Sequence, residues 1–143
     1  MAITTALPTS FKVEILKGVH NFTASSGNTF KMALYTSSAS LGAATTAYTT
    51  SNEVSGTNYT AKGNTLTSVT PVASSTTAVC DFADTTWSSA TITANGAMIF
   101  NESASGDPAV AILAFGADKT STAGDFVVSF PAADASNAII RIA

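Results

Sequence analysis

The chain has 143 residues, a net charge of −3 and only 10% charged residues, against roughly 25% in an average soluble domain. A chain of this length can form one domain with a continuous hydrophobic core. Its six Lys and Arg residues are scattered singly, which excludes the basic patch that nucleic-acid binding needs, and no run approaches the ~20 apolar residues of a membrane-spanning helix.

Hydroxyl side chains supply most of the polar surface, since the sequence contains 23 Thr and 18 Ser. Thr favours β-strands because its branched side chain suits a pleated surface. The low charge leaves little electrostatic repulsion between copies, so the composition permits self-assembly. The single cysteine, Cys80, excludes a disulfide within the chain and a cysteine metal cluster.

The first predicted element is a helix within residues 7–22. Ser10 is a candidate N-cap, and Gly18 lies where a short helix would end. The helix is predicted either to cover one end of a sheet or, with residues 1–22 as an arm, to bind a neighbouring subunit. The candidate partner-binding residues on it are the apolar side chains of Phe11, Ile15 and Val19.

The rest of the chain is predicted to form β-strands. Over residues 29–36 successive side chains are predicted to face opposite sides of a strand. A hairpin is predicted over 59–69 with its tip at 62–64. Pro71 marks a strand edge or a break because it lacks an amide donor. Six further strands are predicted at residues 77–82, 90–94, 97–101, 110–115, 126–130 and 138–142.

The pair Asn95-Gly96 separates two of these segments and is predicted to be a bulge in one long strand rather than a tight turn. About seven to eight short strands with one short N-terminal helix favour an all-β fold. The predicted architecture is an antiparallel β-sandwich, jelly-roll or immunoglobulin-like, that spans residues 1–143 as a single domain.

Candidate catalytic residues are few. His20, the only histidine, follows the predicted end of the helix, and a structural or surface role is favoured over a catalytic one. Cys80, flanked by Val79 and Phe82, is predicted to be a buried core residue rather than a nucleophile. We find no G-x-S-x-G elbow, no Gly-rich phosphate loop and no H-E-x-x-H motif, and we therefore predict no enzyme activity, no cofactor and no metal site.

Two carboxylates, Asp81 and Asp84, form the most suggestive polar group. A pair three residues apart could bind a cation such as Ca²⁺, but we favour a structural role in which their oxygens accept backbone N–H groups at a strand end. Asp118 and Asp134 are predicted to be turn residues on the same argument.

Several blocks of sequence occur together over nearly the whole chain: LPTSFKVEILKGVHNF, FKMALYTSSASLG, TTAYTTSNEVSGTNYTAKG, DFADTTW, AFGADKT and FPAADASNAIIRIA. In content and spacing they resemble a family of small proteins encoded in tailed-bacteriophage genomes. The resemblance implies a virion structural protein, and the first expectation is a capsid decoration, or cement, protein that binds the outside of the major capsid lattice.

The resemblance also implies the partners of the chain. These are the major capsid protein or other virion proteins, together with further copies of the chain in a homo-oligomer, for which a trimer is favoured. Neither nucleic acid nor a membrane is expected as a partner. The expected location is the virion, assembled in the host cytoplasm.

Two alternatives stay open at this point. One is a tail, neck or baseplate component of the same particle. The other is a carbohydrate-binding host-surface adhesin module, because aromatic rings can stack on sugars. The candidate stacking residues are Tyr35, Tyr48, Tyr59 and Trp87.

Overall fold

The structure is a computed structural model that describes residues 2–143. This part of the chain forms one helix and seven strands. They are α1 (Thr9–Leu16), β1 (Phe30–Tyr35), β2 (Asn64–Thr65), β3 (Ser68–Ser74), β4 (Thr77–Phe82), β5 (Thr85–Asn101), β6 (Ala109–Val128) and β7 (Ile140–Ile142).

The strands form two antiparallel sheets, one with the order β2-β1-β5-β6 and the other with the order β3-β4-β7. Apolar side chains from both sheets meet in one core. For example, the ring centroids of Phe30 in the large sheet and Phe82 in the small sheet are 5.7 Å apart. The predicted all-β sandwich is therefore confirmed.

A second hydrophobic cluster lies on the opposite face of the large sheet. Its sheet residues are Ala33, Tyr35, Met98, Phe100, Ala109 and Ile112. The connection after β1 covers them with Ala39 and Leu41, and Ile3 and Tyr48 pack at the margin. The large sheet is thus the middle layer of three, and β1 and the first residues of β6 are buried on both faces.

Strand β5 joins the segments predicted at residues 90–94 and 97–101, and strand β6 joins the segments predicted as separate strands at 110–115 and 126–130. The pairing of β5 with β6 shifts between Ala94 and Gly96, which confirms the predicted bulge. In β6 the residues between the two apolar segments are small, polar and mostly exposed. They lack the hydrophobic alternation that identifies a strand in sequence, and pairing with β5 holds them extended.

The predicted hairpin over 59–69 is wrong. Lys62 and Gly63 do form a turn, with φ of +74° and +67°, but the short strand that follows it pairs with β1. A Cβ atom on Gly63 would lie 1.8 Å from the carbonyl oxygen of Met32, so this approach to β1 requires glycine. Pro71 lies in edge strand β3 beside an irregularity, as predicted.

The N-terminal segment packs against its own subunit. Ala6 exchanges two backbone hydrogen bonds with Ile112 of β6, and the Thr4 amide donates to the Leu41 carbonyl. Helix α1 is shorter than predicted. Its N-cap is Pro8, and Ser10 makes no capping bond, so that prediction is wrong.

Candidate partner-binding surface

The three candidate partner-binding residues lie in different environments. Phe11 is 1% exposed and belongs to the sandwich core, so a partner cannot reach it in this fold. Ile15 is partly buried against that core. Val19 is 36% exposed. Partner binding stays a prediction, and the accessible part of the helix is the side opposite Phe11.

The end of α1 turns the chain back onto the core. The Gly18 amide donates to the Ile15 carbonyl at 3.1 Å, and the Val19 amide donates to the Glu14 carbonyl at 3.0 Å. With Gly18 at φ +70°, this is the Schellman pattern, in which a left-handed residue satisfies the last helical carbonyls. The predicted helix end at Gly18 is confirmed, and the turn directs His20 into the protein.

His20 fixes this turn to the large sheet. Its side chain is fully buried, and Nε2 donates to Glu14 Oε2 at 2.7 Å. On the other side of the ring, Asn101 Nδ2 donates to Nδ1 at 3.0 Å. Both ring nitrogens therefore have partners, and the favoured structural role of His20 is confirmed.

The outward side of α1 carries an apolar patch. Leu16 is 89% exposed and Val13 is 48% exposed. Because residues three and four apart are neighbours on a helix, Lys12 lies beside Leu16, and Lys17, just beyond the helix, lies beside Val13. Both lysines are exposed. We call Lys12, Val13, Leu16 and Lys17 the α1 patch.

A groove lies between the end of α1 and the small sheet. It has a volume of about 170 Å³, and the residues that line it are mostly apolar: Ile15, His20, Phe22, Pro71, Ala78, Val79, Cys80, Ile140 and Ile142. Ile142 is 55% exposed. We call this the α1–β7 groove. Its volume suits one large apolar side chain.

A polar network around Glu53 holds the long connection between β1 and β2. Glu53 Oε2 accepts from the Tyr48 hydroxyl, and Glu53 Oε1 accepts from the Tyr59 hydroxyl at 2.8 Å and from the Lys62 amide at 2.7 Å. The Tyr59 hydroxyl also accepts from the Leu34 amide at 2.9 Å. The carboxylate thus joins three parts of this connection and links them to β1.

The aromatic side chains that were candidates for sugar stacking make packing contacts and hydrogen bonds within the protein. Tyr35 is fully buried and Trp87 is 3% exposed, and the Trp87 ring stacks on Tyr59 at 6.1 Å between centroids. Burial, and then the nearby Glu53 carboxylate, raise the pKa of Tyr48 and Tyr59 above the ordinary tyrosine value. Their hydroxyls are therefore protonated donors at neutral pH.

Of the predicted turn aspartates, Asp84 and Asp134 accept hydrogen bonds from backbone amides, and Asp118 does not lie in a turn. Asp84 Oδ1 accepts from the Phe130 amide at 2.8 Å and ties the start of β5 to the segment after β6. Asp134 accepts from the Ser136 and Asn137 amides, which confirms a turn. The prediction for Asp118 is wrong, because it lies within β6 and accepts from Asn95 of β5.

Within residues 2–143, no three His, Cys, Asp or Glu side chains come together in a way that could hold a metal ion.

Cys80 is 7% exposed, and burial raises its pKa to about 12. The predicted core role of Cys80 is confirmed.

Neither the α1 patch nor the α1–β7 groove was predicted from the sequence. Apolar side chains on a helix are expected to face the core, and the exposure of Leu16, the neighbour of Ile15, was therefore not predicted. The groove depends on the return of β7 to β4, a contact between residues about 60 positions apart that no local pattern signals. The four-residue spacing of Lys12 and Leu16 was the available signal, because it places Leu16 on the same side of the helix as a charged residue.

No protein-family model, curated protein or solved structure matches this chain. In the described residues, no helix is long and apolar enough to cross a membrane.

Proposed function

We propose that this chain is a structural protein of a tailed-bacteriophage particle and that it decorates the outside of the major capsid lattice. The resemblance of the sequence blocks supports the bacteriophage assignment. The β-sandwich with a second, loop-covered core supports a role as a rigid building block. The proposal assigns no enzymatic activity to the chain.

The observation that carries the proposal is the exposed apolar patch on α1. Leu16 is 89% exposed on a helix that Phe11 and the Schellman turn hold firmly to the sandwich. Removing a leucine side chain from water is worth roughly 1.5–3 kcal/mol. Contact with a larger protein surface would provide that stabilisation, and exposed apolar patches mark such contacts.

Strand edges support the same role. In the described residues, β7 ends the small sheet and β6 ends the large sheet, and the N-terminal segment covers β6 only near Ile112. Exposed edges in a charge-poor protein favour aggregation unless another chain uses them in a defined way. We expect copies of the chain to associate around a capsomer, and a trimer is favoured by the resemblance.

Quantitative mass spectrometry of purified particles tests the proposal. A copy number that rises in proportion to the major capsid protein supports decoration of the shell. A small copy number set by the symmetry of the tail identifies a tail, neck or baseplate component instead. Absence of the protein from purified particles contradicts both assignments.

A further inference from the structure

The charges around Leu16 define the chemistry of the surface that α1 contacts. Lys31 and Lys62 lie within 4 Å of Glu102 or Asp107. In the described part of the chain, neither Lys12 nor Lys17 has such a carboxylate partner. The α1 patch therefore presents an apolar centre between two lysines that are free to pair with carboxylates elsewhere.

The carboxylate nearest to these lysines in sequence is already engaged. Glu14 lies between them, but its Oε2 accepts from the buried His20 ring at 2.7 Å. The remainder of the chain is acidic, because outside Lys12, Glu14 and Lys17 it carries four Lys and Arg against eight Asp and Glu. The α1 patch is thus a positive site on a negative protein.

We propose that the α1 patch binds an acidic segment of another particle protein, one that presents a large apolar side chain between carboxylates. The inference rests on the proposed function, since it names the chemistry of the partner at the same surface. The carboxylates pair with Lys12 and Lys17, and the apolar side chain packs against Val13 and Leu16.

The lysines argue against two other occupants. A two-fold contact between α1 patches of two copies would bring four lysines together without a compensating carboxylate, which is unfavourable. An anionic membrane would attract the lysines, but α1 has eight residues and exposes only Val13 and Leu16 as large apolar side chains. Interfacial helices bury a wider apolar face than this.

Co-sedimentation with particles that lack the protein tests the inference. We expect Leu16→Ala to weaken binding of the full chain by about tenfold or more, and Lys12→Glu with Lys17→Glu to do the same and to reduce the salt dependence of binding. The matched control is Val69→Ala, at a valine that is 43% exposed on β3. This control is expected to bind within about twofold of wild type.

Each outcome separates the inference from the proposed function. If wild type binds and the α1 variants bind equally well, the inference is wrong and decoration of the particle stands. If wild type does not bind, both fail. Light scattering and flotation with phosphatidylserine vesicles complete the test: loss of self-association or of vesicle binding in the α1 variants, with particle binding intact, would overturn the acidic-protein partner.

Discussion

Replacing Glu53 by glutamine tests whether the network described above stabilises the fold. The carboxylate accepts three hydrogen bonds, from Tyr48, Tyr59 and the Lys62 amide. Bonds to a charged group contribute roughly 1.5–3 kcal/mol each, against about 1 kcal/mol for neutral pairs. Glutamine keeps the shape but removes the charge, and its amide presents N–H groups where Tyr48 needs an acceptor.

We expect Glu53→Gln to lower the free energy of unfolding by about 2–3 kcal/mol, which is less than the sum of the three bonds because the site is only partly buried and water can enter. For a chain of this size that corresponds to a fall in Tm of roughly 5–10 °C. Trp87 is buried against Tyr59 and is the only tryptophan, so its fluorescence can follow urea unfolding.

The matched control is Glu102→Gln. Glu102 Oε1 lies 3.5 Å from Lys31 Nζ and 3.6 Å from Lys62 Nζ, and its side chain is 33% exposed. A partly exposed ion pair at this distance contributes less than about 1 kcal/mol. If the two substitutions destabilise equally, or if Glu53→Gln changes stability by less than about 0.5 kcal/mol, the network has no special role in stability.

Two other predictions use the same protein. Gly63→Ala should lower the free energy of unfolding, measured in urea, by more than about 2 kcal/mol, because a Cβ atom there would overlap the Met32 carbonyl. The control is Gly106→Ala, also at positive φ but with open space around the added atom, which should cost about 1 kcal/mol. Equal effects would show that the close approach of Gly63 to Met32 does not matter. Cys80, with its pKa raised to about 12, should react with a thiol reagent at pH 8 far more slowly in the native protein than in the urea-unfolded chain. Equal labelling rates would contradict its burial.

The sandwich was predictable because hydrophobic alternation and turn residues record which side of a strand is buried. The Asn95-Gly96 bulge and the helix end at Gly18 were predictable for the same reason, since each depends on neighbours in sequence. The pairing of β2 with β1 was not, because it depends on how closely Gly63 approaches Met32. A local pattern contains no information about that distance.

The candidate surface was predictable only in its location. The N-terminal segment was singled out, but Phe11 faces the core and Leu16 faces outward. An eight-residue helix with apolar residues on both sides offers two orientations, and the turn at Gly18 together with the His20 contacts to Glu14 and Asn101 selects one of them. The contact between His20 and Asn101 joins residues 81 positions apart, which no local pattern records.

Burial of β1 on both faces has a consequence for strand register. In a half-buried strand, a slip of one residue exposes every apolar side chain, and this penalty fixes the alignment. In β1 a slip would move Phe30, Met32 and Leu34 from one apolar layer into another rather than into water, so the apolar penalty is smaller, and burial of the Lys31 ammonium opposes the slip instead. Alignment must then come from groups that fit in one position only, such as the Leu34 amide that donates to Tyr59 and the Tyr35 hydroxyl that donates to the Thr49 carbonyl. The loop that covers the second core therefore also sets the alignment of the strand beneath it.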